Sequence, residues 1–191
     1  MKDNPERRQR ILDAARDVFA KEGFRNAEVK TIAVRAGVGK ATIYKHFESK
    51  EDLLLSLVQE NFRCIRDIAL RHLVGAGHPL QRFEKTCLAI ADYLNQNRNF
   101  SKVLIREAGE FMPEIQHIHK TVVEENQPFA DAFFDAMKSE GMIPDIPNVT
   151  LLELLMNLTI GTVYSWTLSE ERDLRHEVEY LFGLWHERRG E

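Results

Sequence analysis

The segment Thr31–Leu54 reads TIAVRAGVGKATIYKHFESKEDLL and contains two short helical patterns on either side of a glycine turn. Apolar residues recur at helical spacing before the turn, at Ile32 and Ala36. Gly37 can adopt the left-handed backbone conformation with which many helices end. After the turn, Lys40–Phe47 is long enough for two turns of helix. We therefore predict two helices joined by a tight turn, which is the helix-turn-helix arrangement.

The second helix of this motif has one apolar face and one polar, basic face. Ile43 and Phe47 stand four positions apart and form the inner face. Ser49, with Asp52 three residues later, predicts an acidic variant of the capping box at the start of the next helix. In helix-turn-helix proteins the second helix enters the major groove of DNA. The residues left for its outer surface are Lys40, Thr42, Tyr44, Lys45 and His46.

The run A-G-V-x-x-x-T-I-Y-x-H-F-x-x-K-E-x-L, over Ala36–Leu53, resembles the DNA-binding segment of the TetR family of bacterial transcriptional regulators. The match continues upstream through Ile11–Ala15, Phe19, Gly23 and Phe24. It covers about the first third of the chain, and a dozen positions agree in order and spacing. This is a far more specific signal than a helix-turn-helix pattern alone.

The resemblance implies which residues meet DNA. Those placed to meet base edges are Lys30, Lys40, Ala41, Thr42 and Lys45. Those placed to hold phosphates are Tyr44, His46 and Lys50. The chain also departs from the family, which usually has Thr or Ser where Ala27 and Glu28 open the first helix of the motif. The family often has Ser where this chain has Gly39, and such hydroxyls cap helices and touch phosphate.

Charge is divided unevenly along the 191 residues, whose net charge is −4. Residues 1–50 contain 12 Lys and Arg against 7 Asp and Glu, a net charge of +5. Residues 51–191 contain the remaining 14 and 23, a net charge of −9. A basic third on an acidic body suits a protein that meets a polyanion with one face. Uneven surface charge alone would give the same counts, but the motif within the basic third favours DNA.

Composition excludes several other classes. No apolar run reaches the ~20 residues that cross a bilayer, and the charged N-terminus is unlike a signal peptide, so we expect a cytoplasmic protein without a membrane partner. Cys64 and Cys87 lack ligand spacing, and no cofactor or metal site is expected. The sequence around Lys40 lacks the frame of a phosphate-binding loop. His117 and His119 are two positions apart and point to different sides of a helix.

The rest of the chain reads as helices, and we predict an all-α fold of about nine helices. A three-helix DNA-binding head is expected over residues 4–50, and a larger ligand-binding and dimerisation body over 51–191, with a helix over 50–74 linking them. We also expect a polar loop over residues 95–99. Thr150 and Glu153 predict a capping box for the penultimate helix, and Ser169 the start of the last helix.

The last two helices have more apolar residues than one core requires. A helix that is apolar on nearly all sides is expected to be buried on nearly all sides. An ordinary monomer core could use these residues, but two such helices from each subunit also fit a dimer interface of four helices. The family resemblance favours the homodimer. The predicted interface residues are Leu151, Leu155, Leu158, Val163, Leu174, Val178, Leu181 and Trp185.

A small-molecule site in the body is implied by the resemblance. The candidate residues are Phe62, Tyr93, Arg106, Glu107, Phe111, Phe129, Phe133, Asn157 and Trp166, of which the aromatic ones serve equally well as core. We interpret the chain as a homodimeric, sequence-specific regulator of transcription, a repressor released from a palindromic operator by a small molecule. One alternative is a DNA-binding regulator without a ligand. Another is an α-helical enzyme, which no catalytic motif in the sequence supports.

Overall fold

The computed structural model describes residues 5–107 and 110–188 of the 191-residue chain, and its side chains through residue 184. The described residues form helices and no strand, which confirms the all-α prediction. The nine helices among them are α1 Pro5–Glu22, α2 Val29–Ala36, α3 Lys40–His46, α4 Lys50–Leu73, α5 Pro79–Gln96, α6 Arg98–Glu107, α7 Met112–Ser139, α8 Asn148–Thr167 and α9 Leu174–Arg188.

The chain divides into two compact units, and the division differs from the predicted boundary near residue 50. Unit 1 comprises residues 1–62 and 99–118, and unit 2 comprises 63–98 and 119–191. Unit 1 gains the first half of α4 and most of α6 because these helices bury apolar side chains in the same core as α1 and α2. Examples are Leu53 on α4 and Phe100 on α6, which are both nearly inaccessible to solvent.

The core of unit 1 follows the apolar stripes that the sequence predicts. Ile11, Phe19 and Ile32 are fully buried in it. Gly23, with a φ of 77°, ends α1, and its N–H donates to the Phe19 carbonyl at 2.9 Å. Phe24 then folds back so that its ring lies 5.4 Å from the Phe19 ring, edge to face. This is the hydrophobic contact that commonly accompanies a glycine at the end of a helix.

Two smaller apolar clusters hold unit 2 together. The first surrounds Trp166, which is fully buried, and includes Leu94 of α5 and Leu174 of α9. The second surrounds Phe133 and Met137 of α7. Helix α5 packs against α9 within this unit. Among the described residues, no helix combines the length and apolar character that a bilayer crossing requires.

Three predicted helix boundaries in the second half of the chain are wrong. The predicted loop over 95–99 is a single residue, Asn97, whose N–H donates to carbonyls of the preceding turn. Helix α8 begins at Asn148, before Thr150, because the Leu151 N–H already donates to the Pro147 carbonyl at 3.1 Å. Helix α9 begins at Leu174 instead of Ser169.

Asp173 explains the late start of α9. Its carboxylate accepts a hydrogen bond of 3.1 Å from the His176 N–H, as an N-cap residue does. The Asn95 amide donates to the same carboxylate oxygen at 3.0 Å. These hydrogen bonds lower the pKa of Asp173 below its ordinary value, the one from His176 contributing most. The cap therefore ties the start of α9 to the end of α5.

Candidate nucleic-acid interface

The turn between α2 and α3 is a complete Schellman motif. Gly37 has a φ of 66° and a ψ of 36°, which is the left-handed conformation that favours glycine. Its N–H donates to the Val34 carbonyl at 3.2 Å, and the Val38 N–H donates to the Ala33 carbonyl at 3.0 Å. Val38 packs against the core of unit 1. The turn thus ends α2 sharply and fixes where α3 starts.

Helix α3 is fixed by the burial of its inner face and by the capping box that follows its C-terminal end. Ile43 and Phe47 are 1% and 2% exposed, as the inner-face prediction requires. The capping box after α3 is also present, because the Asp52 N–H donates to the Ser49 hydroxyl at 3.0 Å. The Asp52 carboxylate accepts from the Glu48 N–H at 2.8 Å, one residue earlier than in the usual box. Helix α3 is therefore a short, rigid platform.

The outer face of this platform is basic and open to solvent. Lys40 and Lys45 are exposed, and so is Lys30 on the neighbouring α2. Tyr44 is 47% exposed, and the Lys40 ammonium lies 5.8 Å from the centre of its ring. Ala41 is also exposed, whereas Thr42 and His46 are half-buried at the edges of the face. Exposed cations beside an aromatic ring can donate to base edges and to phosphates.

Both helices of the motif begin without a side-chain cap in the described part of the chain, as the departures from the family pattern suggest. Glu28 precedes α2 in an extended conformation, and its side chain makes no cap hydrogen bond. Gly39 holds the equivalent position before α3, with a φ of −76° and a ψ of 150°. That backbone conformation suits any residue, so the sequence leaves a capping interaction unused at Gly39.

Lys50, which is predicted to hold a phosphate, has protein partners in the structure. The Lys50 ammonium donates to the carbonyls of Phe24, Arg25 and Ala27, at 2.9, 3.2 and 3.2 Å. It also lies 4.6 Å from the centre of the Phe24 ring. These carbonyls attract the ammonium because the turn between α1 and α2 brings them together beside the start of α4. The side chain is therefore directed into the protein.

Sequence reasoning missed two arginines of α1 that bind within unit 1. The Arg8 guanidinium lies 4.9 Å from the centre of the Phe47 ring and donates to the Ser56 hydroxyl at 3.3 Å. Arg16 forms an ion pair of 2.5 Å with Glu60. These contacts link α1 to α4 and to Phe47, which directly follows α3, and thus support the platform. Their long sequence separation, 48 and 44 residues, left no local signal.

The predicted dimer residues fall into two groups in the structure. Leu158 and Leu181 are 69% and 63% exposed. Leu174 is buried, and the half-buried members also pack inward: Leu151, Leu155, Val163 and Val178. The side chain of Trp185 lies outside the described residues. The expectation that α8 is buried on nearly all sides is not met within this chain.

Other exposed apolar side chains of α8 and α9 were missing from the prediction, and with Leu158 and Leu181 they form what we call the α8–α9 face. Its members are Leu154, Leu158, Ile160, Tyr164, Leu168, Tyr180, Leu181 and Leu184, with Leu168 directly following α8. Each of them is at least 43% exposed, and Leu168 reaches 71%. Isolated exposed leucines are ordinary, but eight exposed apolar side chains on and beside two helices favour an interaction site.

The predicted ligand-binding residues divide between the two units. Phe62, Arg106, Glu107 and Phe111 belong to unit 1, and Tyr93, Phe129, Phe133, Asn157 and Trp166 to unit 2. Phe129 is 49% exposed, so it belongs to no core cluster of the described residues. Trp166 is a core residue, with the Arg98 guanidinium 4.6 Å from its ring centre and its indole N–H donated to the Arg172 carbonyl.

Two of the surface grooves formed by the described residues are wide open, and no predicted ligand-binding residue lines either of them. One lies on α5, at Gln81, Glu84, Lys85 and Leu88. The other lies between α1 and α2 and includes Asp17, Lys21, Val34 and Arg35. Both are too open to enclose an apolar ligand in this conformation.

Comparisons with known proteins agree with this geometry. The family model described as bacterial regulatory proteins, tetR family, matches residues 11–57, which span most of α1 through the start of α4. The HTH-type transcriptional regulator UidR of Escherichia coli K12 is 27% identical over 182 residues, 93% of this chain and 88% of that protein. The uncharacterised regulator YvkB of Bacillus subtilis is 27% identical over 80% of this chain and 79% of its own.

Two solved structures extend the likeness over the body. The fatty acid degradation regulator FadR from Bacillus halodurans superposes with a TM-score of 0.79 at 24% identity, covering 96% of each chain. FadR from Bacillus subtilis, solved in complex with stearoyl-CoA, superposes with a TM-score of 0.72 at 25% identity. That match covers 92% of this chain and 96% of the other. The fold of this chain is thus similar to that of both structures over more than nine tenths of its length.

Proposed function

We propose that this chain, which belongs to the TetR family of bacterial regulatory proteins, is a repressor that leaves a palindromic operator when a small molecule binds. It is a DNA-binding regulator of transcription. The observation that carries the proposal is the exposed, basic face of α3 above the fully buried Ile43 and Phe47. A rigid helix with this division of residues can enter a major groove without disturbing the core.

The exposed residues of the motif divide between two roles. We assign base edges to Lys30, Lys40, Ala41, Thr42 and Lys45, and phosphates to Tyr44 and His46. Lysine can donate to the O6 and N7 acceptors of guanine, and the small Ala41 side chain can contact a thymine methyl group. The net charge of +5 on residues 1–50 supplies the long-range attraction to DNA, while the acidic remainder is repelled.

We assign dimer formation to the α8–α9 face. A two-fold dimer needs a surface that is complementary to itself, and exposed apolar side chains on two helices supply it. Burying this face in a second copy would remove residues such as Leu158 and Leu168 from water. Two heads related by a two-fold axis would read inverted half-sites in successive major grooves. In the cytoplasm, where bacterial DNA lies, such a dimer would meet its operator directly.

The ligand class that we propose is a long-chain acyl thioester of coenzyme A. The proposal rests on the likeness to Bacillus subtilis FadR, whose structure holds stearoyl-CoA. The body of this chain offers apolar and aromatic side chains in its two clusters, including Tyr93 and Phe133. Binding an acyl chain requires these clusters to open, so the ligand would stabilise a second conformation of the body. A ligand releases DNA only if it binds the released state more tightly.

The test starts by selecting bound duplexes from a pool of random DNA with the full chain. Lys40→Ala should then relax preference at one base position, with a loss of about 1–3 kcal/mol in binding free energy. Lys21→Ala, an exposed lysine of α1, is the matched control and should leave the preference unchanged. Equal losses on every sequence would show that Lys40 reads no base.

The second arm measures affinity for the selected duplex with and without stearoyl-CoA. We expect stearoyl-CoA to weaken DNA binding about 5- to 150-fold, the usual range of allosteric coupling. Free coenzyme A and stearate are the controls, and neither alone should match the thioester. If no acyl thioester changes either DNA affinity or thermal stability, the chain regulates without this ligand.

A further inference from the structure

One side of the turn between α1 and α2, residues 23–28, is held by a single ammonium group. The Lys50 Nζ donates to three carbonyls of this turn, those of Phe24, Arg25 and Ala27, at 2.9, 3.2 and 3.2 Å. Lysine has three N–H donors and no acceptor, so these hydrogen bonds use its full capacity. The Phe24 ring, 4.6 Å away, adds a favourable contact for the charge.

Because of the position of Lys50 in the chain, these hydrogen bonds connect the two ends of the helix-turn-helix. Lys50 is the first residue of α4, directly after the Ser49 cap that follows α3. The turn that it holds leads directly into α2, whose N-cap Glu28 makes no side-chain hydrogen bond within the described residues. One side chain thus joins the entrance of α2 to the exit of α3. We call the three hydrogen bonds of the Lys50 ammonium the clamp. The clamp fixes both ends of the helix-turn-helix.

The opposite side of the turn is also fixed within unit 1. The Arg25 guanidinium donates to the carboxylates of Glu107 and Glu110, at 3.3 and 3.4 Å. Glu107 is 3% exposed, and a carboxylate so deeply buried requires a hydrogen-bond partner. The Phe24 ring meets the Phe111 ring edge to face, with centres 5.7 Å apart. The turn therefore cannot shift without breaking contacts on both sides.

We infer that Lys50 is a positioning residue for DNA recognition: it fixes the turn between α1 and α2 so that α3 has one orientation, and it does not hold a phosphate. The inference rests on the proposed function as a DNA-binding repressor. Lys50 is half-buried, whereas Lys40 and Lys45 on α3 are exposed. A phosphate contact by Lys50 would have to replace hydrogen bonds that the protein already supplies.

Two substitutions separate the positioning role from a phosphate contact. Lys50→Arg keeps the charge, so a phosphate contact would survive it. The guanidinium of arginine is planar, and its N–H donors are spread over three nitrogens. It therefore cannot donate from one atom to three carbonyls, as the lysine ammonium does. Lys50→Met removes the charge and keeps an unbranched apolar stem near Phe24. Lys45→Met, on the exposed face of α3, is the matched control for a lysine that meets DNA.

The measurement is the affinity of the full chain for a duplex selected by the parent protein and for a scrambled duplex, over a range of salt concentrations. We expect both Lys50 variants to lose about tenfold or more in affinity for the selected duplex, with unchanged affinity for the scrambled one. Their salt slopes should equal that of the parent. The Lys45→Met control, at a lysine assigned to base edges, should instead relax the preference at one base position.

The inference is overturned if Lys50→Arg binds the selected duplex as tightly as the parent and Lys50→Met lowers the salt slope on both duplexes. Hydrogen exchange at the amides of Ala27 and Ile32, measured without DNA, gives a second readout. Faster exchange in Lys50→Arg at unchanged global stability supports the clamp, and unchanged exchange overturns it. If the parent selects no DNA sequence, the proposed function fails, and the exchange experiment still decides the role of Lys50.

Discussion

The core of unit 1 and the α8–α9 face use apolar residues in opposite ways. Helix α1 has 18 residues and buries six of them, all on one stripe, while its other side is charged. Helix α8 has 20 residues and a more apolar composition, yet only Trp166 and Thr167 are buried. The less apolar helix is thus the better buried one within this chain.

This difference teaches that apolar content and burial are separate properties. Helix α1 has one apolar face, which residues of α2, α4 and α6 cover inside unit 1. Helix α8 has apolar side chains such as Leu158 and Tyr164 on a side that no described residue covers. Exposed apolar surface is costly in water, at roughly 25 cal/mol per Å². Unit 2 therefore exposes apolar side chains in a single copy of the chain, whereas the apolar face of α1 is covered within unit 1.

The largest effect that tests this comparison is expected in the head. Phe19→Ala removes a fully buried ring from the centre of the unit 1 core and should lower the free energy of unfolding by about 3–5 kcal/mol. Phe129→Ala is the matched control, because the Phe129 ring is 49% exposed, and its cost should be below about 1 kcal/mol. Urea unfolding measures both. Equal losses would show that the burial contrast does not govern stability.

A smaller effect is expected on the α8–α9 face. Leu158→Glu places a charge on a side chain that is 69% exposed in one copy, so the fold should tolerate it. If the face is the dimer interface, the charge should weaken the dimer by about 2 kcal/mol or more, a roughly 30-fold rise in its dissociation constant. Sedimentation equilibrium measures that constant.

The matched control for Leu158→Glu is Val34→Glu. Val34 is an exposed apolar residue of the head, 76% accessible, and lies outside the α8–α9 face. It should leave the dimer unchanged. If both substitutions weaken the dimer equally, or if neither weakens it, the α8–α9 face is not the dimer interface. The interface would then lie at the residues of α8 and α9 that pack inward.

The smallest effect is expected at the two glycines of the turn between α2 and α3. Gly39→Ser should stabilise the chain by about 0.5–1 kcal/mol, because serine caps α3 and restricts the unfolded state. A Cβ at Gly39 would meet only the Thr42 hydroxyl, at an ordinary 3.9 Å. Gly37→Ser is the control and should destabilise by about 1 kcal/mol, since its φ of 66° strains a side chain. Thermal unfolding measures both changes, and a stabilising Gly37→Ser would contradict the account of the turn.

Local signals explain why so much of the head could be predicted. The Gly37 turn, the Ser49 and Asp52 capping box and the contact between Phe19 and Phe24 each arise from residues fewer than six positions apart. Their hydrogen bonds and contacts form wherever such a sequence becomes helical. The body offered weaker signals, and there the starts of α8 and α9 were misplaced. At α9 the cap is supported by Asn95, 78 residues away from Asp173.

By itself, the sequence determined the helices of the head, the residues of the α3 surface and the apolar excess of the last two helices, because these follow from side-chain period and short-range capping. Only the tertiary structure decided the direction of individual side chains. It turned Lys50 inward, because the carbonyls that attract it lie 23 to 26 residues earlier in the chain. It also turned Leu174 inward and Leu181 outward, since which side of a helix is covered depends on the neighbours that folding brings to it.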